Sequence, residues 1–176
     1  AHMLIKASRF INEKDPHSTA VMLLLQPGKV SWAHCGDSRL YRYHDDQLVF
    51  RTIDHSYVEQ LLAKGKITPQ QAAVHAKRNI LITSLGGQEA PKIDYGMAED
   101  LQGGDSFLLC SDGLWGYFSD AELGQVLARH SARESCDILI TQARQRAGGE
   151  GDNVSVAILK LVEIDVPAKP PAPAKR

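Results

Sequence analysis

Three aspartates share one local context. Asp37 follows Trp32-Ala33-His34-Cys35-Gly36, Asp112 follows Phe107-Leu108-Leu109-Cys110-Ser111, and Asp152 lies between Gly151 and Asn153 just ahead of an apolar run. Each reads as a carboxylate in a turn at a strand end. Strand ends from distant parts of a chain can meet on one edge of a sheet, and carboxylates gathered there are hard oxygen donors that suit Mg²⁺ or Mn²⁺. Two such ions can activate a water molecule and clamp a phosphoryl group. Taken singly, each aspartate is also explained by turn chemistry, because Asp beside Gly or Asn is a common turn pair. Spacing alone therefore gives an acidic edge and no more.

The elements that would position these residues are legible. Residues 18–25 (STAVMLLL) are an apolar run of strand length, Pro27-Gly28 marks a turn, and residues 29–35 give a second strand. Residues 39–43 and 48–52 pair as a hairpin around His44-Asp45-Asp46-Gln47, so that 18–52 reads as one antiparallel meander. Residues 106–110 (SFLLC) read as a buried strand and 154–161 as the last one.

Helix signals fall around and between the strands. Residues 4–12 read as a short leading helix. Ser56 with Glu59 caps a helix that Gly65 stops, and Thr68-Pro69-Gln70-Gln71 is a capping box with Pro at the first helical position. Residues 80–85 are apolar and end at Gly86-Gly87. Ser119 with Glu122 and Ser131 with Glu134 open two further helices, the second with Cys136, Leu139, Ile140, Ala143 and Ala147 on one face. Strands, helices, a strand, helices and a strand, with hairpins among them, give an α+β fold of antiparallel sheet covered by helices.

Composition narrows the function. The 176 residues are 43% hydrophobic, enough for one core, and 20 Lys+Arg against 21 Asp+Glu leave no basic excess for nucleic acid or a membrane surface. No apolar run reaches the roughly 18 residues that span a bilayer. The three cysteines lack framework spacing and read as reduced thiols of a cytoplasmic protein. Ala1-His2-Met3 has the look of a cleaved expression tag, and VPAKPPAPAKR at 166–176 that of a solvated linker. The expected division is a tag scar and leading helix over 1–17, a partial catalytic domain over 18–161, and a Pro/Ala/Lys-rich tail over 162–176.

Motif order adds more. Ser18-Thr19-Ala20-Val21, VSWAHCGDSR (30–39), TIDHS (52–56), NILITSLGG (79–87), GDSFLLCSDGLW (104–115) and GDNVSV (151–156) occur in one sequence order. In that order they resemble the metal-dependent serine/threonine protein phosphatases, the PPM or type 2C family, and especially its bacterial signalling branch. The resemblance implies an α-β-β-α sandwich of two antiparallel sheets packed face to face. It implies hydrolysis of phosphoserine and phosphothreonine on phosphorylated proteins by water activated by two Mn²⁺ or Mg²⁺ ions, with a third in some members. The metal set it implies is Asp112 and Asp152, with Asp37 at the third position and Gly113 shaping the turn that presents Asp112. Asn153 would orient Asp152. A cognate serine/threonine kinase is the implied partner.

The sequence also departs from that pattern. The family opens with an Arg-bearing strand and an Asn-Glu-Asp segment, followed by an Asp-Gly-x-Gly-Gly loop, and neither is found here. The first supplies a phosphate-binding Arg, the second the Asp that bridges both metals. Ser84 stands where an Arg is usual, and His34-Cys35 is unusual for its strand. These departures leave two readings: an enzyme with part of its site missing, or an inactive phosphatase-like module that binds a partner. Missing strands would also expose a sheet edge and invite self-association.

Other chemistries fit less well. A cysteine phosphatase needs an Arg six residues after its nucleophile, and Tyr41, Gly116 and Gln142 stand there instead. The seven histidines contain no HExxH pair; His55 reads as fixing a turn, His34 as a packing or surface residue, and Trp32 and Trp115 as core or lid.

Overall fold

The computed structural model describes residues 1–11, 15–149 and 151–162. Its strands are β1 (Ala20–Gln26), β2 (Lys29–Cys35), β3 (Arg39–His44), β4 (Gln47–Arg51), β5 (Asp94–Ala98), β6 (Asp105–Cys110) and β7 (Val156–Lys160). The helices are α1 (His2–Ser8), α2 (Tyr57–Ala63), α3 (Pro69–Ala73), α4 (Asp112–Trp115), α5 (Asp120–Arg129) and α6 (Ala132–Arg146).

The strands form two antiparallel sheets, ordered β1-β2-β5 and β4-β3-β6-β7. The expected single meander is therefore divided. The chain leaves the first sheet at Cys35 and enters the second at Arg39. Gly36 makes this step, with φ +99° and an ideal Cβ position only 2.3 Å from Thr19 Cγ2, so a side chain there would be both strained and obstructed. The hydrophobic pattern could not reveal the break, because both β2 and β3 are apolar enough to be neighbours.

Alternation on β3 and β6 sorts the core into two layers. Leu40 and Phe107 face the first sheet and pack with Val30, Leu23, Trp32 and Phe50. Tyr41, Tyr43, Leu108 and Cys110 face the helices and pack with Leu114, Leu123, Leu127 and Leu139. Both faces of these strands are covered, which is why SFLLC reads as a continuous apolar run. At the end of β3 and β6 remote from the aspartates, Arg42 and Asp105 form a buried ion pair at 2.8 Å, joined by Asp100.

Both long helices are capped as expected. Ser119 and Ser131 accept from the Glu122 and Glu134 amides, and each glutamate bonds back to its cap. The buried stripe of α6 is Ser135, Leu139 and Ala143, with Cys136 and Ile140 at its margin. Three further differences stand out. The leading helix runs His2–Ser8, earlier than the expected 4–12, with 9–11 a turn, and residue 12 of its expected span lies outside the described residues, as does the tail beyond 162. The apolar residues 80–85 join Ser56 and Ser18 through isolated bridges at Leu81 and Leu85. The last strand is shorter than 154–161, and β5 was not legible in DYGMA, which has Gly at its centre and two exposed large side chains. Helices α4–α6 flank the four-stranded sheet. On the first sheet, Met22, Leu24, Tyr95 and Met97 share an outer face and are 57–85% exposed, with no helix over them among the described residues.

The two environments predict opposite mutational responses. Leu139→Ala, fully buried, should lower the unfolding free energy by about 2–5 kcal/mol. Met22→Ser on the open face should change it by about 0.5 kcal/mol or less. Urea denaturation followed by circular dichroism measures both.

Candidate metal centre

The acidic site is assembled by a backbone clasp between the end of β6 and the approach to β7. Ser111 N–H donates to the Ser155 carbonyl at 3.1 Å, Ser111 Oγ donates to the Asn153 carbonyl at 3.1 Å, and Ser155 N–H donates to Ser111 Oγ at 3.0 Å. The next turn is tighter still. A Cβ on Gly113 would lie 2.4 Å from the Asn153 carbonyl oxygen and 3.3 Å from that of Asp152, so only glycine permits the approach. Asp112 opens the single turn of α4, and Gly113 N–H donates to its Oδ1 at 3.0 Å. Asn153 N–H donates to Asp152 Oδ1 at 2.7 Å.

Asp112 and Asp152 thus line one cleft of about 460 Å³. Asp37 stands beside them. Its carboxyl is pushed up to about 6, chiefly by burial and then by the charges of Asp112 and Asp54. Asp112 is also raised, first by burial and then by Asp152. Asp37 therefore feels the charge of Asp112, and Asp112 that of Asp152, across separate strands. A site that disfavours its own carboxylate charges is one in which divalent cations would relieve the repulsion, and oxygen donors of this kind fit Mn²⁺ or Mg²⁺.

Several residues that shape the cleft lie in the sequence motifs but carried no expected role in the site, Trp115 being read only as core or lid. Arg39 is bound by both oxygens of buried Asp54 at 2.8 Å and lies 3.5 Å over the Trp115 ring. Burial opposes its charge, yet the paired Asp54 bonds hold its pKa above the usual value. Trp115 Nε1–H donates to the Asp37 carbonyl at 2.9 Å, tying α4 to the Asp37 turn. Arg51 and Arg78 reach the same cleft, and Val58, Leu62 and Ala72 give it an apolar wall. The only signal for Asp54 was its place in TIDHS; for Arg39 and Trp115, no spacing rule predicts a stacked pair.

The histidines also meet unexpectedly. His34 and His55 stack at 4.6 Å, and with Asp94 they offer donor atoms within 4.8 Å of one another. His55 is depressed below its usual pKa by burial, despite its bond to Asp94. The three cysteines are free thiols, two of them buried. Among the described residues, no helix is long and apolar enough to cross a membrane.

A two-sheet sandwich with aspartates converging on one edge defines a metallophosphatase-like class. Comparison with known proteins makes this specific. No family model matches the chain. It is 35% identical over 144 residues to the serine/threonine phosphatase stp of Listeria innocua, covering 81% of this chain and 56% of that protein. It superposes on the S. agalactiae serine/threonine phosphatase with TM-score 0.79 and 30% identity, covering 92% of this chain and 69% of that one. The catalytic domain of PstP, solved with two manganese ions, gives TM-score 0.75 at 30% identity, covering 91% and 66%. The chain belongs to the metal-dependent serine/threonine protein phosphatase (PPM, type 2C) family. It spans only 28–59% of the length of the curated relatives it matches.

The raised Asp37 carboxyl fixes a pH dependence. Asp37 is protonated in both folded and unfolded chains below about pH 4 and ionised in both above about pH 6. Between these limits the folded state binds the extra proton, so stability falls as pH rises, and the loss persists at higher pH. Without added metal, Asp37→Asn should stabilise the chain at pH 7.5 by about 1–2 kcal/mol after solvent screening, and should flatten the slope between pH 4 and 6. Thermal melts across that range, with EDTA present, measure both.

Proposed function

We propose that this chain supplies the Asp112–Asp152 half of a phosphatase centre that hydrolyses phosphoserine and phosphothreonine on proteins. The observation that carries this reading is the clasp at Gly113, which brings Asp112 and Asp152 into one cleft with Asp37 beside them. Asp112, Asp152 and Asp37 would hold Mn²⁺ or Mg²⁺, two ions and in some states a third. When bound, such ions lower the pKa of water and neutralise phosphoryl oxygens.

The protein's own groups position the reaction. Gly113 and Asn153 amides fix the two carboxylates, and Trp115 fixes the Asp37 turn. Arg51 and Arg78 can meet phosphate or acidic residues of a phosphoprotein, while Val58, Leu62 and Ala72 receive apolar side chains. Substrates are phosphorylated proteins, a cognate serine/threonine kinase among the candidate partners, and the site of action is the cytoplasm. The open Met22–Tyr95 face suits self-association, which would appear in light scattering as a mass that rises with concentration and reverts in Met22→Glu/Met97→Glu.

A second reading is favoured by one feature of the sequence. The phosphate-binding Arg strand and the bridging-Asp loop are not found in it, so the chain alone would act as a phosphatase-like binding module. Asp112 and Asp152, with Asp37 at a third position, hold reluctantly dehydrating Mn²⁺ or Mg²⁺ weakly without a carboxylate that bridges the two ions. The 176-residue chain should therefore hydrolyse para-nitrophenyl phosphate little above background with Mn²⁺. A version extended to the length of the relatives should show Mn²⁺-dependent turnover, and Asp112→Ala should remove most of it. Strong turnover by the short chain would sink the requirement for further ligands; inactivity of the extended chain would favour the binding module.

A further inference from the structure

The cluster of His34, His55 and Asp94 takes no part in the cleft chemistry. His34 lies on β2, Asp94 pairs with it in register on β5, and His55 comes from the loop after β4. The three residues therefore join both sheets. His34 is 5% exposed, and its Nε2 meets the Ile53 carbonyl at 2.9 Å. A carbonyl can only accept, so Nε2 carries the proton and Nδ1 presents a bare lone pair. That Nδ1 is buried and has no hydrogen-bond partner among the described residues. One ring nitrogen held by a backbone carbonyl while the other stays bare is the usual support of a metal-ligating histidine. In a purely structural stack the orphaned acceptor has no compensation.

We propose that His34, His55 and Asp94 form a second metal site, of the Zn²⁺ class, separate from the aspartate cleft. Two imidazoles and one carboxylate favour Zn²⁺ over Mg²⁺ and leave a fourth position for water. One donor atom from each residue already lies within 4.8 Å of the others, and the stacked imidazoles must turn out of their near-parallel arrangement for the set to close on one ion. Asp94 is 40% exposed and gives the ion a route from solvent. Its Oδ2 now accepts from His55 Nε2 and Lys92 Nζ, at 3.0 and 2.9 Å, and the ion takes the place of both contacts.

Binding at His55 Nε2 moves the ring proton to Nδ1, and the number of protons on His55 is unchanged. Nδ1–H then faces the Gly36 N–H, two donors that must move apart, so the long 3.3 Å bond between them is lost. Gly36 precedes Asp37, so filling this site disturbs the turn that brings Asp37 to the cleft. Occupancy of the two sites is thereby linked.

Zn²⁺ alone is the probe. Equilibrium dialysis of the chain should show a Zn²⁺ ion that Asp112→Asn retains and that Asp94→Ala and His34→Gln bind roughly tenfold or more weakly. Imidazole ¹⁵N spectra should show His34 Nδ1 and His55 Nε2 shifting on Zn²⁺ addition. Asp94 is partly exposed, so Asp94→Ala keeps the fold, which its circular dichroism checks, and the test survives if His34→Gln does not fold. Equal Zn²⁺ affinity in wild type and Asp94→Ala, Zn²⁺ binding lost only in Asp112→Asn, or an unmoved His34 Nδ1 signal would each overturn the proposal.

Discussion

The aspartate cleft of this molecule rests on one close backbone approach. Gly113 sits so near the Asn153 carbonyl that no side chain fits between them, and Ser111 and Ser155 close the gap with three hydrogen bonds. Two carboxylates that repel each other are held together by neutral backbone groups some forty residues apart in sequence. No favourable contact between Asp112 and Asp152 themselves does this work; the strand ends impose it. Burial first, and then the charge of a neighbouring aspartate, raises the carboxyl pKa at Asp37 and Asp112.

The remainder of the fold supplies the rigidity that such a strained electrostatic arrangement needs. β3 and β6 are covered on both faces, by the first sheet through Leu40 and Phe107 and by the helices through Tyr41 and Leu108. Their far end is fixed by Arg42 and Asp105. Their near end is fixed by Arg39, which is locked by Asp54 and stacked on Trp115. Buried ion pairs of this sort contribute little net stability, because desolvation offsets the attraction. Their role here is to hold strand ends in place, and Trp115 passes that constraint to the Asp37 turn through one hydrogen bond. The same economy places the His34–His55 stack where it bonds to Gly36 on the other side of that turn.

Local signals were read correctly where local energetics dominate. Both capping boxes on α5 and α6, the Thr68–Gln71 box on α3, and the β3–β4 hairpin depend on hydrogen bonds spanning a few residues, and their sequence marks are direct. The three aspartates were also legible, Asp37 and Asp112 as polar residues after apolar runs and Asp152 as one just ahead of such a run. What failed had non-local causes. β5 is held by pairing with β2 across some sixty residues and carries its large apolar side chains, Tyr95 and Met97, on the exposed face, with Asp94, Gly96 and Ala98 on the other.

The sequence by itself determined the α+β class, the capped helices, the family pattern and the three aspartates at strand ends. Each of these is written in residue type and short spacing. Tertiary structure alone decided that the meander breaks at Gly36 into two sheets, that Arg39 stacks on Trp115, and that His34, His55 and Asp94 meet. The physical reason is the same in all three cases. A strand pattern states which face of a residue is buried but not which sheet buries it, and side chains from different strands become neighbours only once the sheets have packed face to face.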